Sequence, residues 1–164
     1  MGEDRPYSEI ESRRLAKQQR SPEFRAWQQR EAEDLADLIA ITPGLAVLAD
    51  PWTVEGLAAI ECAAMDRMPT PSATATDDEI AYLALCARGI GHTYLRAIGA
   101  GKWVWVRIYD ENPLGPALEL PGHTFWTDPG ESIRDVIFDR RPGWLAEQLH
   151  GLAEWTRTHT VQAI

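Results

Sequence analysis

The residues of this chain best suited to proton transfer are His123, Asp128, Tyr109 and Asp110, which cluster around a predicted sheet. A histidine set beside carboxylates is an acid–base pair. Two of the four have simpler roles, however: Asp128 stands where a helix cap is expected, and Asp110 opens a turn. The other histidines, His92, His150 and His159, show no HExxH or other close metal-binding spacing. There is no GxSxG elbow, no Walker loop and no GxGxxG. The stretch GIGHTYLRAIGAG is glycine-rich, but it lies within and at the end of a predicted helix. A phosphate cradle needs its glycines ahead of a helix N-terminus, where amides point outward. No metal site and no cofactor is expected.

A stronger anomaly is KWVWVRIY, residues 102–109. As a strand it sends Val104, Val106 and Ile108 to one face, and Trp103, Trp105, Arg107 and Tyr109 to the other. Trp, Tyr and Arg are the types enriched at binding hot spots. Trp126, on a predicted third strand, can join Trp105 across the sheet, and Asp110 and Glu111 supply an acidic rim. The expected partner-binding set is therefore Trp105, Arg107, Tyr109, Asp110, Glu111 and Trp126. The competing reading is that N-terminal helices cover this face, with Trp27 and Trp52 packed on it and Arg107 snorkelling or stacked on an indole.

The elements that must position these residues follow from caps and periodicity. Residues 1–40 hold seven Lys/Arg and nine Asp/Glu and read as a solvated helical arm, broken near Ser21-Pro22. A helix after Asp50-Pro51 carries Leu57, Ile60, Ala64 and Met68 on one side. The loop PTPSATAT, residues 69–76, leads to Thr76-Asp77-Asp78-Glu79, a capping box. It opens a long helix with Ile80, Leu83, Ala87, Ile90, Tyr94 and Ile98 on one face. Gly89 and Gly91 within it imply close packing against a neighbouring backbone, and Gly99 and Gly101 are its stop. Strands over residues 102–109, 117–120 and 123–126 form a meander. A helix after Asp128-Pro129, with Glu131 completing a capping box, and a last one from about residue 143 close the chain. Helices, a small antiparallel sheet of three to four strands, then helices make an α+β domain over residues 23–164, behind a polar arm over residues 1–22.

At 164 residues the chain is long enough to bury a core without staples. Cys62 and Cys86 are too few for a disulfide framework and read as buried free thiols of a reducing compartment. There is no run of 18 apolar residues and no apolar leader at the N-terminus, so no membrane partner and a cytoplasmic location are expected. The net charge of −9 disfavours nucleic acid, which needs clustered cations. It suits a basic protein partner steered by the field of the chain.

The layout YLALCARGIGHTYLRAIGAGKWVW, then LELPG, then TDPGESIRDVIF resembles bacterial α+β domains of polymorphic toxin systems, over roughly residues 77–140. This chain has His92 after Gly91, where an acidic residue commonly stands in those domains. The resemblance implies an immunity protein or accessory partner, and no functional residue is carried over from it. The expected function is thus a non-enzymatic protein-binding module that blocks a basic toxin domain. The alternatives are a homo-oligomeric assembly component, in which the aromatic face and N-terminal arm bury each other between subunits, and a small enzyme with a pocket beside His123.

Overall fold

The computed structural model describes residues 8–70 and 74–160. Residues 1–7 of the expected arm and 71–73 of the Pro/Thr loop lie outside the described residues. The elements run α1 (Glu9–Gln18), α2 (Pro22–Gln29), α3 (Glu31–Ile41), α4 (Pro43–Ala46), α5 (Val54–Arg67), α6 (Asp77–Ile98), β1 (Lys102–Val106), β2 (Gly115–Glu119), α7 (Pro129–Asp139) and α8 (Trp144–Thr160). The α+β class holds. No described helix is long and apolar enough to cross a membrane.

The hub is α6, started by the Thr76–Glu79 capping box and stopped by Gly99 in the left-handed conformation. It packs against α3, α7 and α8 and so is buried on several sides. Leu83, Ile90 and Tyr94 are core as the periodicity requires, but Tyr82, Cys86, Arg88 and Thr93 are buried too, while Ile80 is exposed. A helix enclosed by several neighbours has no clean polar face. The glycines in it are explained by close approach. A Cβ on Gly89 would come 2.5 Å from Leu38 Cδ2, and one on Gly91 would come 2.1 Å from the Trp103 ring. Around α6 the core gathers Leu38, Leu45, Leu57, Ile133, Leu145 and Leu149. Glu61, buried on α5, accepts from the Gly143 and Leu145 amides at 2.7 Å each and so ties down the start of α8.

The sheet differs from expectation. It has two antiparallel strands, with Lys102 opposite Glu119 and Val106 opposite Gly115. The expected third strand is reduced to one bridge, Leu118 with Thr127, because the chain turns at once into the Asp128 cap of α7. Strand β1 ends at Val106, so Arg107 and Tyr109 lie beyond the alternation that grouped them with Trp105. Asp50, which with Pro51 at the first position is the cap expected from the sequence for the next helix, does not cap it. It accepts from the Trp52 amide and forms a two-pronged pair with Arg96 at 2.7 Å, while α5 begins later, after Thr53. Of the two thiols Cys86 is buried, its pKa pushed up by burial to about 12, but Cys62 is exposed.

Candidate functional site

The aromatic face of β1 is covered from within the chain. Phe24 stacks on Trp105 at 5.6 Å, and Trp27 meets Trp103 edge-on at 4.8 Å. Trp52 is not part of this cover and lies edge-on to His92 instead. Gln19, just past α1, brackets Trp105: its Nε2 donates to the Trp105 carbonyl and its Oε1 accepts from the Trp105 amide, both at 2.9 Å. A neighbouring strand would make the same pair of bonds, so the carboxamide blunts the open edge of β1.

Beneath these rings sits a buried charge. Arg88 is 1 % exposed, with its guanidinium carbon 3.1 Å from the centre of Trp27 and 5.9 Å from that of Trp103. It donates to Asp34 at 3.0 and 3.3 Å and to the Trp27 carbonyl at 2.6 Å. Burial pulls its pKa down and Asp34 opposes this, but an arginine stays charged in either case. The signal was available: Arg88 is the one Lys, Arg, Asp or Glu between Ile80 and Leu95.

An open cleft of about 430 Å³ lies between the end of β1, the segment before α7, and helices α7 and α8. Its aromatic wall is Tyr109, Phe125 and Trp126, and its acidic wall is Glu131 and Asp135, one turn apart on α7. Tyr109 and Phe125 are 46 % and 54 % exposed. The Tyr109 hydroxyl donates to the Glu131 carboxylate at 3.0 Å, and that bond, followed by the carboxylate's charge, raises the phenol pKa. Glu131 therefore faces Tyr109 rather than completing a capping box, and Asp128 caps α7 through the Gly130 amide at 2.8 Å. The base of the cleft is held by Gln148, whose Oε1 accepts from Ser132 at 2.7 Å and lies 2.9 Å from the Tyr94 hydroxyl.

Of the expected partner-binding residues, only Tyr109 and Trp126 meet here. Trp105 is half-buried under α2. Arg107 is exposed and donates to the Asp110 carbonyl at 3.4 Å, and Asp110 and Glu111 lie exposed in the turn between the strands. Phe125, Glu131, Asp135 and Thr127 were missed, since acidic residues on a helix read as a solvated face. His123 is not turned into the cleft. Its Nε2 lies 3.1 Å from Thr156 Oγ1 on α8, its Nδ1 is buried with no partner among the described residues, and burial lowers its pKa. The acid–base pair suggested for His123 and Asp128 is not assembled.

Asp135 sits half-buried on the acidic wall beside Glu131. Burial, then the charges of Glu131 and Asp139, raise its pKa against the opposing pull of Arg134. The folded state then holds its proton more tightly than the unfolded chain, so stability falls as pH rises from the ordinary value of 3.8 through the raised one. Asp135→Asn is expected to raise stability at pH 7 by about 0.5–1 kcal/mol. At about pH 3, below both values, the difference should vanish. Thermal melts at the two pH values check this, and an equal gain at both would show that the charge is not the cause.

The chain matches no protein-family model, no curated protein and no solved structure.

Proposed function

We propose that this chain is a non-enzymatic protein-binding module that engages a basic partner through the cleft, in the way an immunity protein seats on a toxin domain. The observation that carries the reading is the exposed aromatic wall of Tyr109 and Phe125 facing the Glu131 and Asp135 carboxylates. Exposed aromatic anchors slow dissociation, and an acidic field with a net charge of −9 speeds approach of a cationic surface. A blocking protein needs no chemistry of its own, only a rigid presentation, and the cleft walls rest on helices whose caps and core contacts fix them. Assembly through the aromatic face of β1 is the lesser reading, because α2 already covers that face in one chain. A cytoplasmic location accords with this role.

The test is affinity capture with the full-length chain beside a folded Tyr109→Ala variant, followed by reconstitution of the captured protein in pure form. A basic, stoichiometric partner whose affinity falls about tenfold or more with the variant supports the reading. Recovery of the chain alone, or a partner indifferent to Tyr109, overturns it.

A further inference from the structure

The loop between Leu120 and Thr127 forms one side of the cleft and lies on α8. It is anchored at one end by Leu120 in the core and at the other by the Leu118–Thr127 bridge, with Trp126 packed against the buried face of the strands. Between these anchors the Trp155 indole donates to the Gly122 carbonyl at 2.8 Å, and His123 reaches Thr156. The His123 ring stands edge-on to Phe125 at 5.3 Å and lies 6.0 Å from the Trp155 ring. Phe125 lines the cleft, so one ring of that wall leans on His123. The hydrogen bonds also fix the protonation of the imidazole. Thr156 Oγ1 donates to the Leu152 carbonyl at 2.9 Å, so both groups at Nε2, that hydroxyl at 3.1 Å and that carbonyl at 3.4 Å, are acceptors. Nε2 therefore carries the one proton of a neutral ring, and Nδ1 is a bare acceptor, buried with no partner among the described residues.

We propose that His123 is a proton-operated latch, which when neutral fastens residues 121–125 to α8 and when protonated releases them. A second proton would land on Nδ1 and turn it from an acceptor into a donor. Phe125 and Trp155 carry no oxygen to receive that donor, and a buried donor and charge left unpaired are costly. Both costs are relieved once the loop lifts and the ring meets water. Burial lowers the pKa of His123, and the charge of His159 adds to this. His159 stacks on the Trp155 ring at 3.7 Å and is the charged group of α8 that acts on the imidazole. Of the other charged residues near the end of α8, Glu154 lies 3.9 Å from His150, and Arg157 is exposed. The loop over residues 121–126 holds no second titratable side chain. Since the closed loop keeps His123 below the ordinary 6.5, the open loop binds the proton more tightly, and closure weakens as pH falls through 6.5. Phe125 leaves the wall with the loop, so the cleft is complete only while His123 is neutral. The latch belongs to the wall itself and does not depend on what the cleft binds.

The experiment follows the full-length chain by two-dimensional amide, indole and imidazole spectra from about pH 8 down to about pH 5. His123→Gln and His159→Gln variants are run in parallel. The expected result is a His123 ring that titrates below 6.5, with the Gly122 to Phe125 amides and the Trp155 indole shifting at the same midpoint. Exchange of the His123 amide, which donates to the Leu120 carbonyl, should quicken by about three- to tenfold per pH unit below 6.5 after correction for its intrinsic pH dependence. In His123→Gln, whose amide nitrogen donates as Nε2 does but never titrates, the loop and indole signals should lose this response. His159→Gln removes a neighbouring cation and should move the His123 midpoint up toward 6.5. A ring that titrates at or above 6.5, loop signals that stay still while it titrates, or the same loop response in His123→Gln overturns the latch. The native chain and His159→Gln leave His123 in place, so they decide the matter even if His123→Gln folds poorly.

Discussion

Replacing Arg88 by alanine is expected to lower folding stability by about 3–5 kcal/mol, the range for removing one member of a buried charge network. The loss has identifiable parts. The guanidinium fills the space between Trp27 and Trp103, so its removal opens a void under two indoles. The Trp27 carbonyl loses a donor at 2.6 Å. Asp34 is the milder part, because Arg30 remains 3.2 Å from its other oxygen and keeps the carboxylate paired. That asymmetry yields a second expectation. Arg88→Met keeps the length and an apolar stack on Trp27, and should cost only about 1–2 kcal/mol, since a buried ion pair is often matched by a packed apolar side chain. Urea denaturation of the three proteins decides it. If alanine and methionine cost the same, void and packing are not the main terms, and the charge itself is.

The role of Arg88 shows where a sequence is legible. Caps are local, so the Thr76–Glu79 box and the Asp128-Pro129 pair place the starts of α6 and α7 from four residues and two. The glycine pair at 89 and 91 marks close packing on α6 without saying on what. Alternation fails sooner, because it presumes that a strand continues. β1 ends at Val106, and the pattern that joined Trp105 to Tyr109 is cut by a turn whose end depends on pairing with β2. The third strand fails for a related reason: Leu118 accepts one partner residue, Thr127, before the Asp128 cap takes over. As for the cleft, Tyr109 and Trp126 were visible by type. Glu131 and Asp135 were not, since an acid in the first turn is explained by the helix dipole and one further along reads as part of a solvated face. Only the fold shows that these two acids stand opposite exposed rings.

Gly91→Ala should be the most damaging single methyl on α6. On propensity alone alanine would gain about 1 kcal/mol over glycine in a helix interior. Here the new Cβ would stand 2.1 and 2.3 Å from two ring carbons of Trp103. That indole cannot swing aside freely, because Trp27 lies edge-on at 4.8 Å and Arg88 stands over the same group. Overpacking of this kind costs typically 1–3 kcal/mol and sometimes more, so a net loss of about 2 kcal/mol or more is expected. Gly89→Ala provides the contrast. Its Cβ meets the end of the buried Leu38 side chain at 2.5 Å and the Trp52 ring only at 3.2 Å, so its cost should be smaller than that of Gly91→Ala, about 1 kcal/mol. The smaller ring of Trp103→Phe should recover at least about half of the Gly91→Ala loss in the double variant, a coupling that two independent sites would not show. Strict additivity would mean that the clash is relieved elsewhere. Coupling would place Trp103 as the strut between α6 and β1, the strand from which the chain runs on to Ile108 and Tyr109 on the cleft wall.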